Sequence, residues 1–168
     1  MSRQNRGDGM RSVEHEEGAA KAARAREDCI AVMMAYCVTQ DFRDADCFSS
    51  VFAAQGAWCK SDGESIIGRE AIRRNVVDLF ERHAREGIVY RHMLTSSHIV
   101  SVGDDQVEGL FYSFVYRVEG NGAVRDTSLP VALMTYDVLF EREDGVWKIA
   151  RYRGINHMAA AGLRQHNA

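Results

Sequence analysis

Between positions 30 and 38 the apolar residues Ile30, Met33, Met34, Cys37 and Val38 recur at three- and four-residue intervals, the signature of one apolar helical face. Alanines and arginines from Ala19 onward favour the same helix upstream. Asp41 lies one turn beyond Cys37 on that face. Asp44 is placed to cap a short second helix over 45–52, because a carboxylate there accepts the unpaired N–H groups of a first turn. AWCKSDGESIIG reads as a hairpin around Ser61, Asp62, Gly63 and Glu64. After Gly68, Ile72, Val76, Leu79 and Phe80 stand at i, i+4, i+7 and i+8, with charges on the opposite side of a third helix. Beyond it the period changes: strands are expected over 89–102, 106–119, 129–143 and 146–157, separated by GDD, EGNG and EDG turns and interrupted only by Pro130.

Helices followed by antiparallel strands imply an α+β fold, a cone-shaped curved antiparallel sheet closed by the N-terminal helices. The polar, glycine-punctuated stretch 1–18 lacks periodicity and reads as a disordered tail, 19–160 as a single domain and 161–168 as a short tail. A sheet closed by helices encloses a pocket lined by Phe, Tyr, Met and Leu with a few polar groups.

Composition narrows what such a pocket serves. Among 168 residues 27% are charged and the formal net charge is only −3, without a long run of one sign, so the electrostatic footprint of a nucleic-acid binder is missing. No apolar run reaches the roughly 18 residues of a membrane span and no signal-peptide centre is visible, so a cytoplasmic location is expected. The four cysteines, Cys29, Cys37, Cys47 and Cys59, are spaced at 8, 10 and 12, which matches neither a CxxC redox motif nor paired zinc knuckles; free thiols are expected. A small hydrophobic substrate is the expected partner, with neither nucleic acid nor membrane. Apolar residues on the outer sheet face suggest a homo-oligomer, a trimer or a dimer.

The aspartates of AYCVTQDFRDADCF raise the question of metal. An EF-hand loop counted from Asp41 would place Asp46 where glycine is required and Phe52 where glutamate is required, so that reading fails. His92 and His98 would share a strand face but lie roughly 20 Å apart, too far for one ion. Phosphate loops and nucleophile elbows are missing too. Asp41 and His92 remain, able to face each other across the cone. Singly, such residues also read as a cap carboxylate and a structural histidine; together, a carboxylate that accepts Nδ1–H would leave Nε2 as a base. Tyr36 is either a core aromatic or a polariser of a substrate oxygen.

Four patterns, YCVTQDFRDADCF, GREAI at 68–72, RHMLTSSHIV and EREDGVWKIARYR at 141–153, together resemble the SnoaL-like branch of the nuclear-transport-factor-2-like superfamily over roughly 26–157. The resemblance implies the α+β cone. Its lyase members, among them scytalone dehydratase, bile-acid 7α-dehydratase and hexachlorocyclohexane dehydrochlorinase, use an Asp–His pair placed as Asp41 and His92 are. Carried over, the resemblance implies a dehydratase-like lyase or an isomerase acting without cofactor on a hydrophobic cyclic or polyketide-like molecule, with catalytic Asp41, His92 and Tyr36 and no metal. Tyr112, Tyr116, Tyr136 and Asn156 become candidate substrate-binding groups, while an arginine position of the bile-acid enzyme lands close to Asn156, with Arg151 and Arg153 a few residues away. SFVYRVEG and DGVWKIARYR also resemble small subunits of aromatic-ring-hydroxylating dioxygenases, so a non-catalytic subunit or a ligand-binding domain stands as the alternative.

Overall fold

A computed structural model describes residues 5–119 and 129–158, with side chains from 15 onward and excluding those of 118 and 119. Three helices, α1 (Asn5–Phe42), α2 (Ala45–Ser50) and α3 (Arg69–Arg85), join six strands: β1 (Phe52–Cys59), β2 (Ser65–Ile67), β3 (Ile88–Val102), β4 (Gln106–Glu119), β5 (Ala132–Glu143) and β6 (Val146–Asn156). The strands form one unclosed sheet in the order β2-β1-β6-β5-β4-β3. Pairing is antiparallel throughout except between β1 and β6, which run parallel, so the expected antiparallel sheet is in fact mixed. The chain returns to β1 only after the whole β3–β6 meander, and local patterning carries no trace of so distant a partner.

Helix α1 begins at Asn5, inside the stretch expected as a tail; an established helix extends at the cost of one fixed residue per added bond. The expected 161–168 tail and the EGNG turn, which runs into positions 120–128, lie outside the described residues. β5 begins three positions later than expected, after Pro130, whose ring removes the N–H a ladder needs.

The apolar stripe of α1 is rotated from the expected one. Ala25, Cys29, Met33, Tyr36 and Cys37 are buried, whereas Met34 and Val38 are each 48% exposed, because the sheet receives the side carrying the large aromatic Tyr36. α2 is capped as expected, with Asp44 accepting the Cys47 N–H at 2.9 Å. Asp46, though largely exposed, accepts from Arg73 Nε at 2.6 Å and so links α2 to α3. α3 buries Ile72, Val76 and Phe80. These helices share one core with the sheet, in which Phe48 meets Tyr36, Phe52, Trp58 and Phe80 at ring-centre separations of 5.0, 5.7, 5.3 and 6.1 Å.

Two irregularities decide which side chains reach the helix-covered face. β3 loses register with β4 between Leu94 and Ser96. His92 therefore stands opposite Val115, whose face is buried, while His98 stands opposite Leu110 on the outer face. The two histidines do not share a face as expected, since the extra residue reverses the alternation. β6 slips likewise at Ala150, so that Tyr152, Gly154 and Asn156 follow Trp147 and Ile149 inward.

Candidate active site

β3 is the free edge of the sheet, and the N–H groups on its open side have no strand partner. The C-terminal turn of α1 covers that of His92. Asp41 accepts the His92 backbone N–H at 3.0 Å through Oδ2 and meets His92 Nδ1 at 2.6 Å through Oδ1. Both side chains are nearly enclosed, 10% exposed for Asp41 and 8% for His92. Arg43, at φ 59°, reverses the chain after α1 and donates from Nη2 to the Ile88 carbonyl at 2.8 Å. Arg91 reaches the Asp41 carbonyl from Nη1 at 3.2 Å. These bonds fix the end of α1 against β3, and the His92 ring is held in one orientation with Nε2 left without a partner among the described residues.

The ring opens on a cavity of about 260 Å³ between helices and sheet, close to the lower limit of small-molecule sites. Tyr36, Gln40, Trp58, Leu79, Met134 and Tyr152 supply much of its wall, and the candidate residues Tyr136 and Asn156 also line it. Tyr112 and Tyr116 do not. On β4 the buried positions are Val107, Gly109, Phe111, Ser113 and Val115, so the even-numbered Tyr112 and Tyr116 fall on the outer face, Tyr112 at 44% exposure. Arg151 and Arg153 are likewise exposed on the outer face of β6.

Tyr36 stacks on Tyr152 at 4.8 Å, and its hydroxyl oxygen accepts the indole N–H of Trp58 at 3.3 Å. Because indole can only donate, the hydrogen of Tyr36 is left for an acceptor, either the Tyr152 hydroxyl to which Tyr36 is also hydrogen-bonded or a substrate oxygen. Burial pushes the Tyr36 phenol well above its ordinary range, with the neighbouring Tyr136 adding to the effect, so Tyr36 is a hydrogen-bond donor and not a phenolate at neutral pH. Tyr136 is raised in the same direction, chiefly by burial, while hydrogen-bonded to Ser113.

Several lining residues escape a reading of the sequence. Gln40 is one helical turn beyond Tyr36, and its spacing could have revealed it; its Oε1 is buried without a partner. His83 follows Leu79 by one turn of α3 and was recoverable on the same ground. Tyr152 had no such signal, because its inward direction depends on the slip at Ala150.

The chain is thus an α+β domain whose covered sheet face carries a carboxylate–histidine pair beside an apolar cavity. The SnoaL-like domain matches residues 21–153, and the chain belongs to that family. A protein of unknown function from Mycobacterium tuberculosis is similar at 25% identity with a TM-score of 0.68, over 82% of this chain and 75% of its own. An NTF2-like protein with a cystatin-like fold from Novosphingobium aromaticivorans gives 0.70 at 19% identity over 90% and 94%. A hexachlorocyclohexane dehydrochlorinase from Novosphingobium barchaimii gives 0.67 at 20% identity over 83% and 90%. The last two likenesses concern the fold. No curated protein sequence matches the chain.

Proposed function

We propose that this protein is a cofactor-independent lyase or isomerase that removes a proton from carbon in a small hydrophobic cyclic or polyketide-like molecule. The observation that carries the reading is the 2.6 Å contact between Asp41 Oδ1 and His92 Nδ1 at the wall of an apolar cavity. With Nδ1–H held by the carboxylate, the Nε2 lone pair takes the proton, and Asp41 balances the imidazolium that forms. The electrons of the broken C–H bond become a C=C bond as the leaving group departs with its own pair. A halide leaves as the anion; a hydroxyl leaves as water once His92 returns the proton. Tyr36, its oxygen already engaged by Trp58, donates to a substrate oxygen.

General-base removal of the proton contributes about 10²–10⁴-fold, so His92→Ala should lose that much turnover in a screen of hydroxylated and halogenated cyclic ketones. Undiminished turnover by His92→Ala on a substrate of the wild-type protein would refute the reading. Binding of such compounds without turnover would mark a ligand-binding domain instead. Failure to purify without a large partner subunit would mark a dioxygenase small subunit.

A homo-oligomer forms part of the same reading. Met93, Tyr112, Phe114 and Ile155 are exposed on the outer sheet face, a patch that a monomer would leave in water. Light scattering on the purified chain reads the state directly, and a monomer at micromolar concentration would contradict it.

A further inference from the structure

The cavity contains a second imidazole. His83 sits in the last turn of α3, beyond Leu79, and both side chains line the same space as His92. Its ring packs edge-on against Tyr90 at 5.1 Å. Tyr90 precedes His92 by two residues on the inward side of β3, a spacing of about 7 Å along a strand. Both imidazoles therefore line the one cavity, His83 from α3 and His92 from β3. Among the described residues, neither ring nitrogen of His83 has a hydrogen-bond partner.

We propose that His83 is a second catalytic group of this site, donating a hydrogen bond to the substrate oxygen that gains negative charge as His92 takes the proton. The inference rests on the elimination reading above for its chemistry, but on geometry alone for its place. Burial first, and then the positive charges of Arg82, Arg43 and Arg117, hold the His83 imidazole below its ordinary range, with only Glu86 acting the other way. A ring kept neutral at pH 7 retains one N–H, and a neutral imidazole is an effective electrophile towards a carbonyl. The surrounding guanidinium groups favour an oxygen that becomes anionic.

The step is balanced within the site. The C–H bond breaks, its proton goes to His92 Nε2, and its electron pair forms the enolate whose charge appears on the carbonyl oxygen at His83. When the enolate collapses, the C=C bond forms, the leaving group departs, and a departing hydroxyl takes the proton from His92 as water. The substrate class follows: a ring compound whose carbonyl or enolic oxygen lies at the α3 end of the cavity, beside the carbon facing His92. Lys60 is a weaker candidate for this role, since it pairs with Glu64 and lies over the Trp58 ring at 5.6 Å.

Two probes of matched shape, 2-naphthol and 2-methylnaphthalene, test this without a known substrate. Calorimetric titration of the full chain should show 2-naphthol bound about tenfold more tightly, as one neutral hydrogen bond gives. The imidazole ¹⁵N resonances of His83 should move with 2-naphthol and stay with 2-methylnaphthalene. His83→Phe, which keeps a ring against Tyr90, should abolish the preference, and His83→Gln should restore part of it. Retention of the preference in His83→Phe, an unmoved His83 resonance with 2-naphthol bound, or binding of neither probe would overturn the proposal. His92→Ala separates the two readings: it should keep the naphthol preference, and if it also kept full turnover, the Asp41–His92 reading would fall while the His83 contact stood.

Discussion

His92 presents two hydrogens to one carboxylate: its backbone N–H lies 3.0 Å from Asp41 Oδ2 and its ring Nδ1 2.6 Å from Oδ1. The side chain that orients the ring therefore also closes the sheet edge that carries it. Structure and chemistry are coupled at Asp41, and they can be separated by choice of substitution.

Asp41→Asn keeps an acceptor for the backbone N–H but sets an amide donor beside Nδ1, which favours the wrong tautomer. Turnover should fall by about 10²–10⁴-fold while 2-methylnaphthalene binds as before. Asp41→Ala should in addition lower the free energy of unfolding by about 1–3 kcal/mol, as for a buried donor left without a partner. Urea titration of both variants checks this, and equal stability loss in the two would contradict the division of roles.

Phe48 is fully buried and touches four aromatic rings, Tyr36 among them. Phe48→Ala should cost about 3–5 kcal/mol in unfolding free energy and loosen the floor on which Tyr36 rests. The expected result is weaker 2-naphthol binding in the fraction that remains folded, measured by titration at low temperature.

Acid should find the ties between helices and strands. Glu143 is held below the usual carboxylate range first by the Ala54 N–H and then by Arg69, and Asp44 is held down by the Cys47 N–H. A carboxylate whose folded value is depressed contributes stability in full above its unfolded value, about 4.3 for Glu, and loses it as pH falls through the folded value. Denaturation midpoints should drop steeply below that point. In Glu143→Gln the drop should be shallower from a lower starting stability; an unchanged acid slope would count against this account.

Thiol reactivity should follow burial. The Cys29 and Cys37 thiols are pushed up to about 12 by enclosure, with Asp28 and Asp41 respectively adding to it, whereas Cys47, raised chiefly by the Asp44 carboxylate, is exposed and so within reach of a reagent. At pH 8 a disulfide reagent should modify Cys47 in the native chain and reach Cys29 and Cys37 only on unfolding. Mass mapping after a timed pulse reads the order.

The residues explain why the fold was legible and the pocket only partly so. Period and turn chemistry are local, so α3 and the four long strands could be placed from sequence. Asp41 and His92 followed because one continues a helical face and the other begins a strand. On β4, by contrast, both alternation phases carry aromatics, and polarity points to Tyr112 and Tyr116 when the small Ser113 is the one facing inward. The stripe on α1 was ambiguous in the same way: Met34 and Val38 match Met33 and Cys37 in hydropathy, and only the sheet decides which pair it receives. The parallel partnership of β1 with β6 has no local trace at all.

The slip in β3 between Leu94 and Ser96 acts as a phase boundary within one strand. Upstream of it, alternation is tied to the cavity through Tyr90 and His92; downstream, it is tied to the core through Ile99 and Val102. Each half can consequently drift in sequence under its own constraint, and deletion of Thr95, the residue without a β4 partner, would leave a regular ladder there with both halves facing as they do.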